Sequence, residues 1–95
     1  MYKAIIEVDA RIDLYDASIW YEDRRVGLGG EFLDEFLNVL DYLEDNPLLF
    51  SVIKDDFRQV VMKKFPFVIV YRIVESEIRI ISVFHTSRNP KKKFK

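Results

Sequence analysis

Residues 65–84 read FPFVIVYRIVESEIRIISVF, and the fold turns on how this stretch divides. Phe67 to Val74 is almost continuously apolar and rich in β-branched and aromatic side chains, the pattern of a short strand covered on both faces. Glu75-Ser76 interrupts it, and Glu77 to Phe84 resumes with a more alternating pattern, so the two runs read as a hairpin. Upstream of Pro66, Phe57 to Phe65 is a third β-rich run. The C-terminal half is therefore expected to form an antiparallel meander with 67–74 as its central strand.

The N-terminal half is expected to cover that sheet. Tyr2 to Val8 is a short apolar run bounded by Asp9 and reads as a strand, which joins the sheet across whatever lies between. Asp9 is expected to cap a helix in which Ala10, Leu14, Ala17 and Tyr21 recur along one face. Arg24 and Arg25 suit that helix's C-terminal end, ahead of the turn residues Gly27, Gly29 and Gly30. A second helix follows, with Phe32, Phe36, Val39 and Leu43 in one row and Leu33, Leu37 and Leu40 in another, ended by Asn46-Pro47. Two helices joined by a short turn form an antiparallel hairpin whose stripe needs a sheet. The expected fold is α+β, in the order β-α-α-β-β-β, with the helical hairpin on one face of a mainly antiparallel sheet.

Composition narrows the classes of function. Ninety-five residues, 49% of them hydrophobic, suffice for a single domain spanning 1–95 with one core. The chain has no cysteine, which rules out a disulfide framework and a thiolate metal site and fits a reducing compartment. MYKAIIEVD passes from a short apolar run straight to acids, so neither a secretory signal nor a membrane span is expected and a cytoplasmic location is. The net charge of −1 conceals a division: residues 1–57 carry −9 and residues 58–95 carry +8. Either the second segment presents a positive layer to phosphate, or the two halves neutralise each other across a shared surface.

Several pieces, in order, resemble the RelE/ParE superfamily of bacterial toxins from type II toxin-antitoxin modules, also called plasmid-stabilisation proteins. They are Ala10 with Asp13-Leu14, WYE at 20–22, GLGGEFLDE at 27–35, Asn46-Pro47, Arg58 opening a strand, FPFVIVYRI at 65–73 and HTSRNP at 85–90. The resemblance implies the β-α-α-β-β-β domain and a cognate antitoxin as partner. It also implies a fork in function, with the nuclease branch as the first expectation and the gyrase branch as its alternative. One branch of the superfamily cuts messenger RNA on the ribosome, as a metal-independent endoribonuclease; the other inhibits DNA gyrase by binding it. An inactive relic that only binds its antitoxin is a third reading.

The nuclease reading makes specific chemical demands. A ribonuclease without metal or cofactor must deprotonate a 2′-hydroxyl, stabilise charge on the attacked phosphate and protonate the departing oxygen. His85, the only histidine, has a side chain whose ordinary pKa of about 6.5 suits proton transfer. Arg58 and Arg88 offer guanidinium forks for phosphate oxygens. Nuclease members of the family use an arginine at the position matching Arg58 and a histidine or arginine near the end of the last strand, so the resemblance implies catalytic roles for His85, Arg58 and Arg88. Lys63, Lys64, Arg79, Lys91 and Lys92 are expected to add phosphate- or RNA-binding charge.

Each candidate has a plainer alternative. His85 suits a strand end where its ring packs beside an aromatic, Arg58 suits an ion pair with a nearby acid, and Lys91 to Lys95 suit a solvated tail. Several nuclease members carry a tyrosine near the C-terminus, where this chain has Phe94. Strict alternation places His85 on the same sheet face as Arg79, Ile81 and Val83. The nuclease reading predicts that His85, Arg58 and Arg88 converge on one open face; the protein-binding reading predicts that they diverge or are tied up internally.

Overall fold

The structure is a computed structural model and describes residues 1–87. Strand β1 (Lys3–Ile6) leads into helices α1 (Val8–Arg24) and α2 (Leu28–Asp45), followed by strands β2 (Val52–Lys54), β3 (Phe57–Val61), β4 (Phe67–Val74) and β5 (Glu77–His85). The sheet order is β1-β5-β4-β3-β2. β2 to β5 run antiparallel to their neighbours, while β1 crosses over the helical hairpin to pair parallel with β5. This is the expected α+β arrangement, with β2 as one additional three-residue edge strand.

Burial follows from the two periodicities. Ala10, Leu14, Ala17 and Tyr21 of α1 and Phe32, Phe36, Leu40 and Leu43 of α2 pack on Phe67, Ile69, Tyr71, Ile78, Ile80 and Val83 of the sheet. An aromatic knot of Tyr21, Phe32, Phe65 and Phe67 closes one end, its ring centroids 4.8–6.1 Å apart. A smaller cluster of Val68, Val70 and Phe84, with Phe57 against it, occupies the other sheet face, which is why 67–74 reads apolar at nearly every position. Of the two rows expected on α2, Leu33 and Leu37 lie outside this core and are exposed.

Three local expectations are corrected. Asp9 does not cap α1: the helix starts at Val8 with Glu7 at the N-cap, and Asp9 sits in the first turn. Gly29 and Gly30 belong to α2, and only Gly27 makes the turn, at φ +91°. There the chain needs the left-handed region that glycine enters without steric cost. Gly27 has no side chain with which to cap, and Glu22 of α1 does so instead, its carboxylate accepting from the N–H groups of Gly27 at 2.9 Å and Gly29 at 3.0 Å. WYE and GLGG, separate motifs four residues apart, therefore act as one joint. Gly29 is also where the helices touch, since a Cβ there would lie 2.5 Å from the Ser18 carbonyl oxygen.

The third correction concerns register. Val70 pairs with Ser82 but Tyr71 pairs with Ile80, so β5 carries a bulge at Ile81. Beyond it every side chain of β5 changes face relative to strict alternation. His85 pairs with Phe67 and lies with Val83 and Ile80 on the helix side, whereas Arg79 pairs with Arg72 on the far side. His85 and Arg79 are thus on opposite faces.

Candidate interaction site

Arg58 is the second residue of β3, opposite Tyr71 on the helix-facing side, and is partly buried. Its guanidinium donates to the backbone carbonyl of Phe50. Beside it the buried Tyr71 hydroxyl donates to the carbonyl of Pro47 at 2.9 Å. Together they fasten the segment that leaves α2 to the sheet. Burial pushes the Tyr71 phenol up to about 12, the nearby Arg58 charge partly opposing that rise.

His85 stands at the far end of the same face. Its ring meets Phe67 edge to face at 5.3 Å, and its Nδ1 accepts the Ser87 N–H at 3.1 Å, with the Ser87 hydroxyl 3.3 Å away. An accepting Nδ1 places the proton of the neutral ring on Nε2. Because Arg58 pairs with Tyr71 and His85 with Phe67, the two are separated by about 13 Å along β4 and two strand spacings, about 10 Å, across it. These are backbone positions, and the bond to Phe50 draws the Arg58 guanidinium further toward the β2 edge, away from β5 and His85.

The remaining candidates are dispersed. Arg79 pairs with Glu77 at 2.7 Å and Glu7 at 3.4 Å. Arg72 pairs with Asp56 at 3.1 Å and covers the Phe57 ring. Of the two ways in which the oppositely charged halves were expected to meet, mutual neutralisation describes these two arginines. Lys63 and Lys64 are exposed just after β3, with the Lys63 N–H held by Glu35 at 3.2 Å. Arg88, Lys91 and Lys92 lie outside the described residues.

Sequence reasoning did not foresee a cleft of about 520 Å³ between α2 and β3, lined by Val39, Tyr42, Leu49, Phe50 and Val60 with Lys63 at its rim. Its lining suits an apolar side chain better than a phosphate. The signal was present in Leu49, a large apolar residue of the segment before the edge strand that lines the cleft and stays exposed. Among the described residues no group of three or more His, Asp or Glu is placed to hold a metal ion. None of their helices is long and apolar enough to cross a membrane.

A helical hairpin laid on a five-stranded sheet, with β1 parallel to the last strand, is the fold of the RelE/ParE toxins. The chain superposes on the structure titled chromosomal ParDE TA system from P. aeruginosa with a TM-score of 0.69 and 14% identity, covering 92% of this chain and 98% of that one. It superposes on the intact E. coli RelBE toxin-antitoxin complex with a TM-score of 0.71 and 14% identity, covering 93% and 100%. The family model described as ParE toxin of type II toxin-antitoxin system, parDE, matches residues 5–90, and the chain belongs to that family. A search of curated protein sequences finds no match.

Proposed function

We propose that this toxin arrests growth by binding and inhibiting DNA gyrase, and that a cognate antitoxin holds it in check. The observation that carries the reading is the placement of Arg58: its guanidinium donates to the Phe50 carbonyl on the helix side of the sheet, turned toward the β2 edge, while His85 stands at the other end of that face on β5. Ribosome-dependent cleavage of mRNA needs fixed cations and a proton-transfer group around one phosphate. The arginines Arg72 and Arg79 are engaged by carboxylates on the other face. Membership of the ParE family adds weight to a protein target.

The nuclease reading keeps one supporting feature. His85 remains a titratable ring at a strand end, beside Ser87. An antitoxin partner is supported by the two superposable structures, both titled as toxin-antitoxin systems. The apolar α2–β3 cleft offers such a partner an anchor point.

Inducing the chain alone in bacteria separates the readings. Growth arrest with relaxed plasmid DNA and intact message, retained in His85→Ala, is the expected result. Cleaved message, abolished together with toxicity in a folded His85→Ala variant, overturns it. Failure to arrest growth at all points instead to an antitoxin-binding relic. Co-expression with the product of an adjacent small gene is expected to yield a stable complex and restore growth.

A further inference from the structure

Helix α1 has a second apolar row that the fold leaves in water. Val8, Ile12, Tyr15 and Ile19 recur at spacings of four, three and four, and they are 71%, 53%, 66% and 41% exposed. At about 100° per residue they centre on the side of the helix opposite Ala10, Leu14, Ala17 and Tyr21, the residues that meet the sheet. The buried row contains two alanines; the exposed one is all large side chains. Four such residues aligned over about 17 Å are a patch, not scatter. Leu33 and Leu37 of α2, also exposed, widen it: Leu33 lies one turn beyond Gly29, which abuts Ser18 of α1.

Charge beside the row selects its occupant. Asp9, Asp16 and Asp23 repeat at intervals of seven and are exposed along one edge, the position that flanks the seam of a coiled coil. Among the described residues none of the three is engaged by a lysine or arginine. The opposite edge carries Arg11 and Ser18, so the acidic edge has no matching acidic counterpart.

We propose that the outer face of α1 is a docking surface for an amphipathic helix of another protein, one whose apolar seam repeats at three-and-four spacing and is flanked by lysine or arginine. A second copy of this chain fits less well: an antiparallel pairing about a two-fold axis sets aspartate edge against aspartate edge, and a parallel one offers the three aspartates a single cation, Arg11. The proposal does not rest on how the toxin acts, since this face points away from the sheet.

The test titrates the full chain with two labelled synthetic three-heptad peptides that share one leucine-isoleucine seam and carry either lysine or glutamate on both flanks. The lysine peptide is expected to bind about tenfold or more tightly than the glutamate peptide at low salt. Asp16→Lys with Asp23→Lys is expected to invert that preference, and Ile12→Glu to abolish binding of both peptides without lowering the melting temperature. Equal binding of the two peptides, or a preference unchanged by the double substitution, overturns the proposal. So does a dimer of the chain alone that Ile12→Glu dissociates, because the occupant is then a second copy.

Discussion

The carboxylate of Asp13 in α1 accepts a hydrogen bond from the backbone N–H of Val83 in β5 at 2.9 Å, across 70 residues of chain. Both residues are buried, and Val83 lies just past the bulge at Ile81. A bulge leaves a strand with ladder groups out of step. β1 pairs with β5 only as far as Ile80, and Asp13 receives the Val83 N–H beyond that point, so the DL pair that marks the first helix also ties down the last strand past its bulge.

Asp13→Ala is therefore expected to destabilise the fold by about 1–3 kcal/mol, the cost of leaving a buried N–H unsatisfied. Asp13→Asn, whose amide oxygen still accepts, is expected to lose less. Urea denaturation of the two variants, with slopes compared to confirm a common transition, checks both. Equal losses in the two variants contradict the assigned role.

The joint between the helices makes a second prediction. Gly29→Ala places a Cβ against the Ser18 carbonyl oxygen, a backbone atom that yields only if the helices separate, and about 1–3 kcal/mol of stability is expected to be lost. Glu22→Ala, which strips the cap from the start of α2, is expected to cost about 0.5–2 kcal/mol. Gly30→Ala, where a Cβ meets open space, is the control and is expected to be neutral or slightly stabilising. Thermal melts of the three variants order them directly.

Tyr71 contributes a pH-dependent part of the fold's stability in alkali. Burial raises its phenol from 10.0 to about 12 in the native state, against the opposing Arg58 charge. A group whose native pKa lies above its unfolded value contributes stability that is complete below the unfolded pKa and is lost as pH rises through the native one. The contribution is thus whole below pH 10 and fades between pH 10 and about 12. Tyr71→Phe is expected to flatten that decline while costing about 1 kcal/mol at neutral pH through the lost bond to Pro47. Denaturation midpoints measured across this window, for both proteins, show it.

Much of this architecture was legible because periodicity reports burial. The continuous apolar run 67–74 marked the central strand, and Ala10 to Tyr21 with Phe32 to Leu43 marked the buried helix faces. The three-residue β2 was too short to carry a pattern. The bulge at Ile81 was invisible because its support comes from Asp13, far away in sequence, and nothing local distinguishes Ile80-Ile81 from an alternating strand. That one shift decided the faces of His85 and Arg79. The bond from Arg58 to the Phe50 carbonyl was equally hidden, since a backbone oxygen leaves no trace in residue identity.

Arg58 separates a structural cation from a catalytic one. If its guanidinium fastens the segment after α2, Arg58→Ala is expected to lower stability by about 1.5–3 kcal/mol, the range for hydrogen bonds to charged groups, and to raise protease cleavage around Leu48 to Ser51. A variant with unchanged stability that has lost toxicity points instead to chemistry at this position.

The most direct measurement places the purified chain in two reactions side by side: DNA supercoiling by purified gyrase, and translation on purified ribosomes with the message mapped by primer extension. Gyrase inhibition predicts that supercoiling is blocked at protein concentrations comparable to the gyrase while the message stays whole. Message cut in the ribosomal A site, with supercoiling untouched, contradicts it.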